Sequence, residues 1–370
     1  MTHPWEVLLH SEKVKFRSPD TDGPVKRIFF ENEPYFGKPT EVFAYLGVPE
    51  AVNGPVPAMV CVHGGGGKAF REWVELWVAR GYAAIAMDLG SKDDQDNRLP
   101  NGGPNQEQTE KLNPKIAWEN LWTFHAVAAV LRSHHILRTL PQVDSSRIGI
   151  TGISWGGYLT CIAAGIDPRF ACAVPVYGCG FLQRNSADEW MKLFSEMSED
   201  ERRTWHNRCD PSIYLPQAKA PILFVSGTND FAYPLDSLEA TCALPCGPVT
   251  RCVRVEMPHS HEAGWAPGEI ELFANQHLAG GKPLPTLGQN VVSGERVTAH
   301  YQADLPVRCA ELVYSTDSGN WKQRKWHTAP ASLRQEFVEA GLPSGVTAGF
   351  MAIEDEREAR VSNSCFVISE

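Results

Sequence analysis

Short apolar runs, each closed by turn residues, recur through the first three quarters of the chain. They are PAMVCVH (57–63), YAAIAMD (82–88), RIGIT (147–151), FACAVPV (170–176), PILFVSG (221–227) and RCVRVEM (251–257). Several are apolar at consecutive rather than alternate positions, as strands buried on both faces of a parallel sheet are. Between them the apolar spacing becomes helical over 69–80, 115–138, 156–165 and 267–278. Strands alternating with helices through short links predict a doubly wound α/β sheet. VKRIFFEN and EVFAYLGVP, ahead of that series, supply antiparallel strands at one edge.

Two segments break the rhythm. Residues 90–114 are polar and rich in Asp, Asn, Gln, Gly and Pro, and 180–215 carry the helical stretch SADEWMKLFSEMSEDERRTW. Long excursions in a compact domain are usually functional or disordered, so both are candidate lids. From about residue 282 a Pro/Gly linker, GKPLPTLGQN, leads into alternating runs with strong turn chemistry at YSTDSGNW. The expected organisation is an α/β domain over 1–284 and a small all-β, Ig-like sandwich over 288–370.

Composition narrows the function classes. With 43% hydrophobic and 21% charged residues in 370, the chain can bury a sizeable core. A net charge of −10 with no Lys/Arg block argues against a nucleic-acid partner. No basic segment followed by an apolar run opens the chain, and no stretch approaches the roughly 20 apolar residues of a membrane span. The expectation is a cytoplasmic protein without a membrane partner, and self-association into a homo-oligomer stays open. Of the ten cysteines, Cys61, Cys161, Cys172 and Cys252 lie inside apolar runs, where thiols act as small hydrophobes. Cys242 and Cys246 are the closest pair and have no second pair at zinc spacing, so reduced thiols and no metal are expected.

The candidate chemistry starts at Gly152-Ile153-Ser154-Trp155-Gly156, a G-x-S-x-G match with a strand before it and a helix after it. Such a turn holds a serine in a strained conformation with its hydroxyl raised above the carboxyl edge of the sheet. A serine hydroxyl is a weak nucleophile and needs a base, itself oriented by an acid. Asp230 follows the strand at 221–227, and His259 and His261 follow the strand at 251–257, in the chain order Ser, Asp, His. His261 is the favoured base, because it follows a small residue with loop enough to swing over Ser154. His259 is then a loop-packing or substrate-contacting residue. Donors for a developing oxyanion are assigned to the N–H groups of Trp155 and of Gly65 in CVHGGGGKAF, with Gly64 or Gly66 as neighbours and His63 as a brace. Phe231, Tyr233 and Trp265 are candidates to line the acyl or alcohol pocket, and no cofactor is required. Trp321 and Trp326 of the sandwich are read as core, with sugar stacking as the alternative.

These residues resemble the α/β-hydrolase superfamily. More narrowly, VHGGGG, GISWGG, GTNDFAYP and MPHSHEAGW are similar to the branch that holds acetyl xylan esterases, dienelactone hydrolases and prolyl-oligopeptidase-type domains. The resemblance covers about residues 40–280 and implies Ser154 as nucleophile, Asp230 as orienter and His261 as base. His261-Glu262 resembles the acetyl xylan esterase branch in particular, and the tail resembles a sandwich appended to some of its members. Dienelactone hydrolases carry a cysteine where Ser154 stands, and prolyl-oligopeptidase-type enzymes carry a large N-terminal domain where about 50 residues stand here. The resemblance therefore implies a serine esterase of short acyl esters, with acetylated carbohydrates among its substrates, ahead of a peptidase or amidase and of a non-catalytic carbohydrate-binding protein.

Overall fold

A computed structural model describes residues 4–10, 14–50 and 54–368. The sheet of the α/β part is built from β1 (Phe16–Arg17), β2 (Val25–Tyr35), β3 (Lys38–Gly47), β4 (Val56–Val62), β5 (Ala83–Met87), β6 (Val143–Ile153), β7 (Cys172–Val176), β8 (Ile222–Gly227) and β9 (Val249–Arg254). Its order is β1-β2-β3-β5-β4-β6-β7-β8-β9. From β5 to β9 all neighbours run parallel, and β1, β2 and β3 form the antiparallel edge. This is the doubly wound, mostly parallel sheet expected from the strand–helix alternation, and it agrees with the α/β-hydrolase fold that the resemblance implies. Every residue of β4, β5, β7 and β8 is buried, which explains their consecutive apolar positions.

The helix expected over 115–138 is shorter at its start and runs Trp122–Thr139. Leu121 is extended ahead of it, and the Asn120 side chain is drawn away to accept a bond from the Phe36 N–H at 2.7 Å. The 90–114 segment is not a free excursion. Ser91 Oγ donates to Pro104 O at 3.1 Å, and Gln106 Nε2 donates to Gly67 O at 3.1 Å, which ties it to the glycine loop after β4. Residues 180–215 form the helices Asp188–Ser195 and Glu199–Cys209, the second started by a reciprocal Ser198/Glu201 capping box.

The C-terminal part is all-β but does not stand apart. It comprises β10 (Thr286–Leu287), β11 (Val291–Ser293), β12 (Arg296–Gln302), β13 (Val307–Ser315), β14 (His327–Pro330), β15 (Ser332–Leu333), β16 (Phe337–Gly341), β17 (Ala348–Asp355), β18 (Arg360–Ser362) and β19 (Phe366–Val367). One of its sheets, β18-β17-β13-β14, continues the hydrolase sheet through an antiparallel β9–β18 pairing at Ser362 and Arg251. Ser362 Oγ accepts from Val253 N at 3.1 Å, and Glu269 Oε1 accepts from Arg360 N at 2.7 Å, reinforcing that seam. The physical reason is the exposed ladder that β9 would otherwise present at the sheet edge. The other sheet has the order β10-β12-β16-β15, with β11 on β12.

Trp326 is buried against Phe350, as a core residue is, whereas Trp321 is half-buried with the Arg324 guanidinium 4.0 Å over its ring. The loop that holds them reaches the hydrolase part. Asn229 Nδ2, one residue before Asp230, donates to Arg324 O at 2.7 Å and to Lys322 O at 3.2 Å. No disulfide occurs among the described residues.

Candidate active site

Ser154 sits at the turn between β6 and the helix Trp155–Ile166, with φ 58° and ψ −119°. A positive φ is costly for a residue with a side chain and persists only where the surroundings impose it. Here Ser154 N donates to Val176 O at 2.9 Å, and Ser154 O accepts from Tyr158 N at 2.9 Å. The glycines on either side permit the crossing. A Cβ on Gly156 would overlap the Val62 carbonyl of β4, and one on Gly152 would overlap the Gly156 carbonyl. The crowding of glycine around the serine therefore serves close passage of the helix over the sheet edge.

Asp230 and the histidine loop come from the ends of β8 and β9. The buried Asp230 carboxylate accepts through Oδ1 from Ala232 N at 2.9 Å and Tyr233 N at 2.8 Å. Its Oδ2 accepts from His259 Nδ1 at 2.6 Å. That bond fixes the imidazole proton on Nδ1 and leaves Nε2 as an acceptor, 2.9 Å from Ser154 Oγ. The ring stacks on Tyr177 at 4.6 Å and 27°, and the Tyr177 hydroxyl donates to Pro258 O at 2.6 Å, holding the loop as well as the ring.

This overturns the expectation that His261 faces Ser154. His261 opens the short helix His261–Trp265, which is capped by Ser260, whose Oγ accepts from Ala263 N at 3.0 Å. The first helical turn aims the ring at the glycine loop instead. Gly64 N donates to His261 Nε2 at 2.9 Å, and the ring packs against Phe70 at 4.7 Å. Burial, and then the neighbouring His259, push the His261 pKa down to about 4, consistent with a neutral acceptor.

The glycine loop lies against the serine. A Cβ on Gly64 would stand 2.9 Å from Ser154 Cβ. The Gly64 N–H is taken by His261, so Gly65 is the next amide along the loop. Trp155 is the first residue of its helix, where amides have no internal partner. His63 braces the loop, as the sequence suggested. Its Nε2 accepts from Leu89 N at 2.9 Å, and its Nδ1 donates to Gly64 O at 2.7 Å. Burial lowers its pKa to about 3, so it remains neutral.

The aromatic candidates divide. Phe231 is 56% exposed and flanks the His259 ring at 4.9 Å. Tyr233 is buried, parallel to that ring at 6.5 Å and against Trp190 at 5.5 Å. Trp265 packs behind His261, on Phe70 and Trp73. Sequence reasoning missed Tyr177 and Trp190. Tyr177 carried a usable signal, since it directly follows β7 at the same sheet edge as the other candidates. Among the described residues no group of three or more His, Cys, Asp and Glu side chains clusters as metal ligands do.

The arrangement can deprotonate a serine hydroxyl, hold the resulting imidazolium beside a carboxylate and offer backbone N–H groups near the reacting carbon. The model of the Dienelactone hydrolase family matches residues 42–243, more than half of the chain. The acetyl esterase Axe7A of Xylanibacter ruminicola is 25% identical over 142 residues, 36% of this chain and 31% of that protein, so the match spans under a third of the relative. Among solved structures, an acetyl xylan esterase from Paenibacillus sp. R4 has a TM-score of 0.58 at 20% identity, covering 74% of this chain and 92% of that one. A puromycin-hydrolyzing peptidase of Mycobacterium tuberculosis has a TM-score of 0.52 at 23% identity, covering 73% and 40%. Those structural likenesses speak to the fold.

Proposed function

The chain belongs to the dienelactone hydrolase family, and from that premise we propose that it is a serine carboxylesterase acting on short acyl esters, acetylated carbohydrates among them. The observation that carries the reading is the continuous series from Ser154 Oγ through His259, at 2.9 Å, to Asp230, at 2.6 Å. Ser154 attacks the ester carbonyl while His259 takes its proton. The negative oxygen of the tetrahedral intermediate is received by the N–H groups of Trp155 and Gly65. His259 then protonates the leaving alkoxide. In the second half it activates the water that releases the acid from the acyl-serine, with Asp230 holding the imidazole in one tautomer throughout.

The surroundings favour a small acyl group and a large alcohol. Behind Ser154, Trp155 and Trp190 are buried with their rings 4.7 Å apart, and Trp190 meets Tyr233, so bulky indoles crowd the inner side. On the outer side Phe231 stands in solvent beside His259. The acetyl esterase relative and the acetyl xylan esterase fold neighbour support that choice of substrate class. The test is a panel of nitrophenyl esters of increasing acyl length, an acetylated xylo-oligosaccharide and aminoacyl amides. Acetyl should be turned over fastest and amides least. Faster amide cleavage than acetyl ester cleavage would replace this reading with a peptidase using the same residues.

A further inference from the structure

Lys111 ends the four-residue helix Gln108–Lys111 and is 1% exposed, yet its Nζ has no hydrogen-bond partner among the described residues. It lies over two indoles, 4.3 Å from the Trp122 ring centre and 4.7 Å from that of Trp155. A buried ammonium group normally has a carboxylate beside it, because its desolvation is otherwise uncompensated. Its backbone is anchored as well, since Trp205 Nε1 donates to the Lys111 main-chain carbonyl at 2.9 Å.

What Lys111 does face is the glycine loop. Its Nζ is 3.7 Å from the place a Cβ on Gly65 would occupy, and the Trp155 indole nitrogen is 3.4 Å from that place and also without a hydrogen-bond partner among the described residues. Gly65 and Trp155 are the two residues whose backbone amides receive the oxyanion in the proposed reaction. The titratable groups bearing on Lys111 are the exposed Glu107, at the start of its own segment, and His63 from the end of β4. The helices Trp122–Thr139 and Trp155–Ile166 present indoles to it.

We propose that Lys111 is the fixed positive charge of the oxyanion pocket, whose missing counter-ion is the negative oxygen that forms when Ser154 attacks an ester. It acts through the Gly65 and Trp155 segment as an electrostatic positioning residue, and it rests on the serine-esterase reading above. A preorganised charge in a water-poor site stabilises the transition state without reorganising during the reaction. The energetic strain of an unpaired ammonium in the resting protein is then part of the function. Burial lowers the Lys111 pKa to about 7, so the charge is present on the acid side of neutrality and fades above it.

The test uses the full chain with three variants, Lys111→Met, Lys111→Arg and Ser154→Ala. Lys111→Met should lower kcat for a nitrophenyl acetate about ten- to thirtyfold at pH 6, with KM little changed. It should also abolish the decline in rate above about pH 7, and it should raise the urea midpoint at pH 6, because an uncompensated buried charge is removed. Lys111→Arg, charged at every working pH, should keep its rate above pH 8. A merely structural role would instead lower the midpoint in Lys111→Met and leave the shape of the pH profile unchanged. Wild-type rate and pH profile in Lys111→Met, or in Lys111→Arg should Lys111→Met not fold, overturn the proposal while fluorophosphonate labelling of Ser154 stays intact. Full activity in Ser154→Ala would overturn the serine reading itself, and this proposal with it.

Discussion

Replacing His259 and His261 one at a time separates a proton-transfer role from a scaffolding role at positions two residues apart. His259→Ala removes the side chain that is hydrogen-bonded to both Ser154 and Asp230. General-base assistance is worth about 10²–10⁴ in rate, and members of a triad acting as a unit are worth more. A fall in kcat of at least about a thousandfold is expected, with KM nearly unchanged. His261→Ala removes one neutral hydrogen bond to Gly64 N, at 2.9 Å, together with a ring contact on Phe70. Such a bond contributes about 1 kcal/mol net. Even if all of it were lost from the transition state, through a loosened Gly64–Gly67 loop, the rate would fall only about five- to tenfold. The two variants should thus differ by roughly a hundredfold or more. The assay is steady-state hydrolysis of a nitrophenyl acetate, with kcat and KM determined separately and circular dichroism confirming the fold of each variant. Activity retained in His259→Ala and abolished in a folded His261→Ala would refute the reasoning.

Two further predictions concern the frame around the site. Gly156→Ala should destabilise the protein by about 2–4 kcal/mol, since its methyl group overlaps the Val62 carbonyl and helix and sheet must separate; a urea midpoint within error of wild type would contradict the close-passage account. Stability should fall on acidification below about pH 6.5, because burial lowers His63 to about 3 and His125, His134 and His261 to about 4. All four remain neutral in the fold while the unfolded chain takes up protons, each adding a slope of up to about 1.4 kcal/mol per pH unit. Asp88, raised to about 6 by burial, binds its proton more readily in the fold between about pH 6 and 4, so it offsets part of one histidine. Urea midpoints that stay flat from pH 7.5 to 4.5 would contradict this.

What the sequence disclosed and what it withheld follow from the range of the interactions involved. Ser154 was legible because its strained turn is made locally, by neighbouring glycines between a strand and a helix. Asp230 was legible because it follows a buried strand by three residues. The two histidines follow their strand almost equally, and what chooses between them lies far away. Tyr177, at the end of β7, stacks on one ring, and Gly64, after β4, donates to the other. Ser260 did offer a local sign, since a helix-capping serine places His261 in a first turn. Lys111 looks like any surface lysine in EQTEKLN, and only the packing of Trp122 and Trp155 around it reveals a buried charge. The joining of the C-terminal strands to the hydrolase sheet rests on the short strand Arg360–Ser362 meeting β9, a pairing that no local pattern encodes.

The central claim is that Ser154 is an activated nucleophile. The most direct measurement is mass-spectrometric mapping of the adduct left by a fluorophosphonate on the intact folded protein. The account predicts one modified peptide, carrying the phosphonyl group on Ser154, with labelling slowed by orders of magnitude in His259→Ala. No adduct, or an adduct on another residue that accompanies loss of ester hydrolysis, would contradict it.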